Sequence, residues 1–297
     1  MGEKPEMNMI PDLCLEQDAR MWMAWAENLL CSSGVPNPRV DAEAIMASAL
    51  GMGRLDLYLD PRTLKESERG NFFDLVKRRC SREPLQYILG EVSFYGRSFH
   101  VTPDVLIPRP ETELLVEACL GRIKSPRRIL DVGTGSGCIA VTLACERPEA
   151  IVLAVDSEEN ALSVALSNAR RHEVLDRVQI LCGDLATAIG SGCRADLIVA
   201  NLPYIPLPAF DRLQTEVRDF EPESALCGGE DGLLLIRRLI ADLPRLLQPA
   251  GLIALEIGED HGEAVQSLFE ETRSFGKVEV IQDLSGRNRM AFAVRTR

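Results

Sequence analysis

The sequence predicts an α/β protein: a doubly wound, mainly parallel sheet of seven strands preceded by a small helical domain. Three observations carry this. From residue 129 to 294, apolar runs of strand length alternate with amphipathic helical patterns. A glycine-rich turn joins the first of these runs to the helix after it. Before residue 86 the helical patterns come without strands.

In chain order, residues up to about Pro11 read as a loose tail. Asp18 to Leu30 places Met21, Trp22, Trp25 and Leu29 at helical spacing. Gly34, Pro36 and Pro38 interrupt that pattern, and helices are expected again over Val40–Leu50 and Glu66–Cys80. The basic cluster Lys77, Arg78, Arg79 and Arg82 reads as a solvated helix end. Residues 91–101 read as a β-hairpin turning at Gly96. Residues 102–113 carry three prolines, which rule out a helix interior or a central strand, so a rigid connector is expected. The predicted divisions are a helical domain over 1–85, the hairpin and connector over 86–110, and the sheet domain over 111–297.

In the sheet domain a helix opens at Glu111 with Pro110 near its first position. Strands are expected at 129–132, 151–155, 178–182, 197–200, 252–256, 278–281 and 290–294. The helices between them fall at about 138–145, 158–172, 233–247 and 260–272. Only residues 282–289 join the last two strands, too few for a helical crossover, so the last strand should run antiparallel.

Composition narrows the function. A net charge of −12 disfavours a protein whose affinity comes mainly from phosphate contacts. Nine cysteines, an odd number without a C-x-x-C pair, read as reduced thiols in the cytoplasm. His100, His172 and His261 lie far apart, so no metal site is expected. No apolar run reaches the length of a membrane span.

The stretch I-L-D-V-G-T-G-S-G-C-I-A, residues 129–140, reads as strand, tight turn and helix. Gly133, Gly135 and Gly137 permit both the turn and the close approach of a ligand to the main chain. The dinucleotide fingerprint needs its third glycine where Cys138 stands. Asp131, two residues before the first glycine, suits a cationic ligand end better than a pyrophosphate. S-adenosylmethionine, with its sulfonium and ammonium, fits this pattern; NAD or FAD and a turn that binds nothing are the alternatives. Asp156, ending the next strand, stands where a ribose acceptor is expected.

At the end of the fourth strand the chain reads A-N-L-P-Y-I-P, residues 200–206. Ligands of open α/β sheets sit outside the carboxyl ends of the strands, so Asn201–Tyr204 should lie beside the glycine turn. The run is similar to the N-P-P-Y motif of methyltransferases that modify planar nitrogens. Such a nitrogen is a poor nucleophile because its lone pair is delocalised. The Asn201 side-chain oxygen and the carbonyl of residue 202 are each suited to accept one N–H, with Tyr204 stacking on the planar group. Leu202 replaces the usual proline but keeps the carbonyl, and Pro203 restricts it to extended geometry.

Residues 82–90, 106–113, 131–140 and 201–205 together resemble the peptide-chain release factor glutamine methyltransferases, and the likeness covers nearly the whole chain, with 221–233 and 283–289 fitting as well. The resemblance implies a Rossmann-like S-adenosylmethionine-dependent methyltransferase fold. The substrate would be the Gly-Gly-Gln glutamine of class 1 release factors, held partly by the helical domain, with no membrane and no direct nucleic-acid binding. It implies cofactor contacts from Gly133, Thr134, Gly135, Ser136, Gly137, Asp156, Asp184, Leu185 and Asn201. It places catalysis at Asn201, Leu202, Pro203 and Tyr204, with Phe94 and Arg97 as candidates to line the glutamine entrance. Arg109 and Glu111 would pin the connector. The rival activity is adenine-N6 methylation of nucleic acid, which uses the same four-residue motif; a non-catalytic module on the same fold is a further alternative.

Overall fold

The computed structural model describes residues 18–59, 62–190, 192 and 194–296; the expected N-terminal tail lies outside them. The chain divides between Leu89 and Gly90 into two units. In the first, α1 (Ala19–Ser32), α2 (Pro38–Leu50), α3 (Asp56–Leu59), α4 (Glu66–Cys80) and α5 (Leu85–Leu89) follow one another. The Asp18 carboxylate caps α1 by accepting from the backbone N–H groups of Arg20 and Met21. Pro38 opens α2, and Gly51, in the left-handed region at φ +62°, closes it. Ala26, Leu30, Ile45, Met46, Leu57, Phe72 and Val76 make a core without solvent exposure. Trp22, Trp25 and Phe73 pack edge to face beside it.

The basic cluster departs from expectation. Arg78 pairs with Glu83 at the surface, but Arg79 is buried. Its guanidinium donates to Asp41 at 2.7 Å, tying α4 to the first turn of α2. The helical face that carries Phe72 and Val76 also carries Arg79, and its charge is accommodated by a carboxylate 38 positions earlier.

The second unit opens with the hairpin β1 (Glu91–Phe94) and β2 (Arg97–His100). Tyr95 and Gly96 both have positive φ, as a two-residue turn between twisted strands requires. Then come α6 (Pro110–Arg122), β3 (Arg128–Val132), α7 (Cys138–Glu146), β4 (Ile151–Asp156), α8 (Glu159–Arg171), β5 (Val178–Cys182) and β6 (Ala195–Ala200). After 3₁₀ turns and the short α9 (Thr215–Phe220) follow α10 (Leu234–Leu246), β7 (Leu247–Glu256), α11 (Gly262–Thr272), β8 (Glu279–Gln282) and β9 (Asn288–Val294).

The seven-stranded sheet has the order β5-β4-β3-β6-β7-β9-β8, with β9 antiparallel to both neighbours. Alternate residues of each strand feed opposite faces. Leu130, Val132, Ile198, Ile253 and Leu255 pack under α10 and α11. Ile129, Leu197, Val199 and Ala254 pack under α6 and α7, joined by Phe94 and Phe99 of the hairpin. The chain leaves β3 to one side for β4 and returns on its other side for β6, which opens a crevice at the carboxyl ends of β3 and β6.

Candidate active site

The crevice holds a cavity lined by the glycine turn (Gly133, Thr134, Gly135, Ser136), by Asp156 after β4, and by Asp184 and Leu185 after β5. Asn201, Leu202 and Pro203 after β6 complete its floor, and Asp104, Leu106 and Pro108 of the connector form a wall. Gly133 and Gly135 have φ of +75° and +52°. The space above Gly135 is open, whereas a Cβ on Gly133 would come within 2.9 Å of the Leu202 side chain.

Hydrogen bonds of the acidic residues hold this loop. Asp156 accepts from the Gly135 N–H at 2.8 Å and the Glu158 N–H at 3.1 Å, and burial pushes its carboxyl up. Asp131 is fully buried and does not line the cavity. One of its oxygens accepts from the Thr134 hydroxyl at 2.7 Å and the Ala140 N–H at 3.1 Å; the other has no partner. Burial pushes Asp131 up to about 7. The open space above Gly135 and the lone pairs Asp156 keeps after its two bonds suit a ligand with donor groups that lies close to the main chain. Asp184 is paired with Arg238 at the rim, at 2.6 Å.

A second cavity lies on the other side of Asn201, lined by Arg109, Tyr204, Arg212, Gln214, Val217 and Glu256. Asn201 and Leu202 line both cavities. The Asn201 amide nitrogen donates to Thr112 Oγ1 at 3.1 Å, and nothing among the described residues donates to its oxygen. Nor does any described residue donate to the Leu202 carbonyl. Both acceptors belong to residues that line the two cavities at once. The Tyr204 hydroxyl donates to Glu256 at 3.2 Å and accepts from Arg289 at 3.4 Å, and burial pushes the phenol up. Arg109 is ion-paired with buried Glu221, which also accepts from the Ile107 N–H, so the connector is fastened at this rim.

Three expected site residues lie elsewhere. Phe94 is fully buried against Phe99 in the core under the hairpin. Arg97 pairs with Glu146 at the end of α7, at 2.7 Å. Both are drawn there because buried Asn168 of α8 bonds the His100 N–H, the His100 carbonyl and the Ser136 carbonyl, holding the hairpin flat on the sheet domain. Gly137 does not line the cavity; its Cα faces Ala165 of α8, where an added Cβ would lie 3.1 Å from backbone. Among the described residues no cluster of His, Cys, Asp or Glu could hold a metal ion.

Sequence reasoning missed Thr112 and Glu256, both buried, joined by a 2.7 Å hydrogen bond. A signal existed for one: Glu256 is a lone acid at the carboxyl end of an apolar strand, where ligands of such sheets bind.

Comparison with known proteins gives the family of the chain. Residues 21–90 match the model described as PrmC N-terminal domain, and 110–209 match the methyltransferase small domain. A release factor glutamine methyltransferase of Nitratidesulfovibrio vulgaris is 44% identical over 91% of this chain and 92% of its own. The chain belongs to the release factor glutamine methyltransferase family. A second relative so named, from Geobacter sulfurreducens, is 41% identical over 98% of both chains. Among solved structures, the hMettl16 catalytic domain in complex with an RNA hairpin superposes with a TM-score of 0.54 at 17% identity, covering 75% of this chain and 82% of that one. A Thermus thermophilus 16S rRNA guanine-N2 methyltransferase gives 0.51 at 20% identity, over 70% and 50%. These two share the fold. Among the described residues no helix is long and apolar enough to cross a membrane, and the seven described cysteines are free thiols.

Proposed function

We propose that this protein methylates the side-chain amide nitrogen of the glutamine in the Gly-Gly-Gln motif of class 1 peptide chain release factors, with S-adenosylmethionine as methyl donor. The reading rests on family membership together with one observation: Asn201 and Leu202 line both cavities, and no described residue donates to the Asn201 side-chain oxygen or the Leu202 carbonyl. The cofactor, when bound, supplies a methyl group made electrophilic by its positively charged sulfur. Gly133 to Ser136, Asp156, Asp184, Leu185 and Asn201 hold it in the first cavity, with Gly137 supporting the turn from behind. Asp156 has lone pairs left for ribose hydroxyls after bonding Gly135 and Glu158.

The glutamine side chain enters through the second cavity. Asn201 and the Leu202 carbonyl each accept one of its N–H groups. Held at both hydrogens, the nitrogen directs its remaining density toward the first cavity. The Tyr204 ring fixes the tilt of the amide plane, and Pro203 keeps Leu202 extended so that its carbonyl faces the junction. Catalysis is then positioning, a contribution of about 7–11 kcal/mol in well-oriented systems. The helical unit holds the release factor, and the protein works in the cytoplasm without binding nucleic acid directly, in keeping with its net charge of −12.

The test is transfer of labelled methyl from S-adenosylmethionine to a purified class 1 release factor, read by mass spectrometry at the Gly-Gly-Gln glutamine. Label at that residue is the expected result. Bound cofactor with no label there, or label on protein-free nucleic acid instead, rejects the assignment.

A further inference from the structure

We propose that Glu256 and Thr112 are positioning residues: together they set which end of the Asn201 amide faces the junction of the two cavities. The inference rests on the role of Asn201 given above and extends it to two buried residues that act through Asn201, Thr112 at the edge of the first cavity and Glu256 at the edge of the second.

The argument is a count of protons along one chain of hydrogen bonds. Arg289 donates to the Tyr204 hydroxyl, and a guanidinium has no acceptor to offer in return. The single phenolic proton of Tyr204 is therefore turned to Glu256 Oε1. The other carboxylate oxygen, Oε2, lies 2.7 Å from Thr112 Oγ1. Burial pushes the Glu256 carboxyl up, against the hydrogen bonds from Thr112 and Tyr204 and the charge of Arg289 that hold it down; in its ionised form it only accepts, and the single hydroxyl proton of Thr112 is then committed to Oε2. Thr112 is left with lone pairs alone for its remaining neighbour, Asn201, 3.1 Å away. Only the NH2 end of Asn201 satisfies them. The Asn201 oxygen must then face the junction, where it is needed as an acceptor. Thr112 and Glu256 are both almost wholly shielded from solvent, so no water substitutes for a missing partner at low cost.

Reversal by a change of one atom is the consequence. In Glu256→Gln, Tyr204 still requires an acceptor, so the new amide places its oxygen toward Tyr204 and its NH2 toward Thr112. Thr112 then accepts from residue 256, and its freed proton is satisfied by donating to Asn201. Asn201 turns over and presents its NH2 to the substrate, which is itself an NH2. Volume, burial and backbone are unchanged.

The experiment compares wild type, Glu256→Gln, Thr112→Val and Thr112→Ser in the full-length protein. It measures kcat and KM for release factor methylation, S-adenosylmethionine affinity by calorimetry, and Tm. The relay predicts a fall in kcat on the order of 10²-fold for Glu256→Gln, the scale of losing one preorganised polar group at a reacting centre. The fall in kcat is read at saturating S-adenosylmethionine, a concentration set from the measured affinity of each variant, so a change in cofactor binding through Asn201 does not enter it. Thr112→Val, which keeps the shape and removes the hydroxyl, also loses kcat, and Thr112→Ser, which restores the hydroxyl, recovers it. Wild-type kcat in Glu256→Gln or in Thr112→Val overturns the relay. So does an equal loss in Thr112→Val and Thr112→Ser, which would make the role one of packing. Should Glu256→Gln lower Tm, the valine and serine pair decides alone. A wild-type enzyme that fails to label the release factor sinks the functional assignment itself, a result separate from any contrast among the variants.

Discussion

Gly137→Ala is expected to destabilise the sheet domain without touching the ligand cavity. Gly137 sits at φ +78°, where a side chain costs about 1–2 kcal/mol. The added Cβ would also lie 3.0 Å from the Ala165 Cβ and 3.1 Å from its Cα. These are atoms of a packed helix rather than a flexible side-chain tip, and overpacking of this kind costs about 1–3 kcal/mol. The sum, about 2–5 kcal/mol, corresponds to a fall in Tm of about 4–20 °C for a domain of this size. Gly135→Ala is the control. Its φ is +52° and nothing lies within 4 Å of the added carbon, so only the backbone cost remains. Because Gly135 faces the cavity, that variant should instead lose cofactor affinity. Urea unfolding followed by far-UV circular dichroism measures stability, and calorimetry measures binding. Both tryptophans, Trp22 and Trp25, belong to the helical unit, so their fluorescence does not report on the sheet directly. Equal stability of the two variants, or a binding loss confined to Gly137→Ala, would refute the division of labour between these glycines.

Other expectations follow from the same structure. Asn201→Ala should abolish methyl transfer even at saturating S-adenosylmethionine while Tm stays near wild type, and near-normal turnover would remove the acceptor role. Asp41→Ala deprives buried Arg79 of its carboxylate and should cost the helical unit about 3–5 kcal/mol, seen as an earlier urea transition in tryptophan fluorescence. Glu43 is held down at about 2 by the Tyr58 hydroxyl, then Arg54 and Arg39. Its depressed value means the stabilisation is complete above the unfolded value of about 4.5 and is lost as pH falls through about 2. Glu43→Gln should flatten the dependence of helical-unit stability on pH across that window, and an unchanged slope would contradict the ion cluster.

Much of this architecture is legible in the sequence because strands and helices of a two-sided sheet leave strong periodic signals. The antiparallel last strand follows from the short 282–289 connection alone. Boundaries slip where chemistry misleads. The sequence pattern carries the helix to about 247 and starts the strand at 252, yet β7 already begins at Leu247, which pairs with Ala195 before the register shifts to Leu197 and Leu252. The glycine turn and Asn201–Tyr204 are readable because both are local. The bond between Thr112 and Glu256 spans 144 positions and has no local trace. Phe94 and Arg97, offered by the family resemblance alone, are placed by a contact of the same kind: Asn168, 68 positions after His100, fastens their hairpin to the sheet domain. Arg79 shows the same limit, since only its contact with Asp41 separates a buried cation from a solvated one.

The final strand does not lie at the border of the sheet but is slotted between β7 and β8. During synthesis β8 is therefore made before it has anything to pair with, and it waits for residues 288–294 to leave the ribosome. Premature termination just ahead of β9 would strip away an interior strand and set β8 adrift, leaving the backbone edge of β7 bare and prone to sticking to other chains. An enzyme concerned with how proteins end is thus assembled so that its own sheet closes only once β9 has been made.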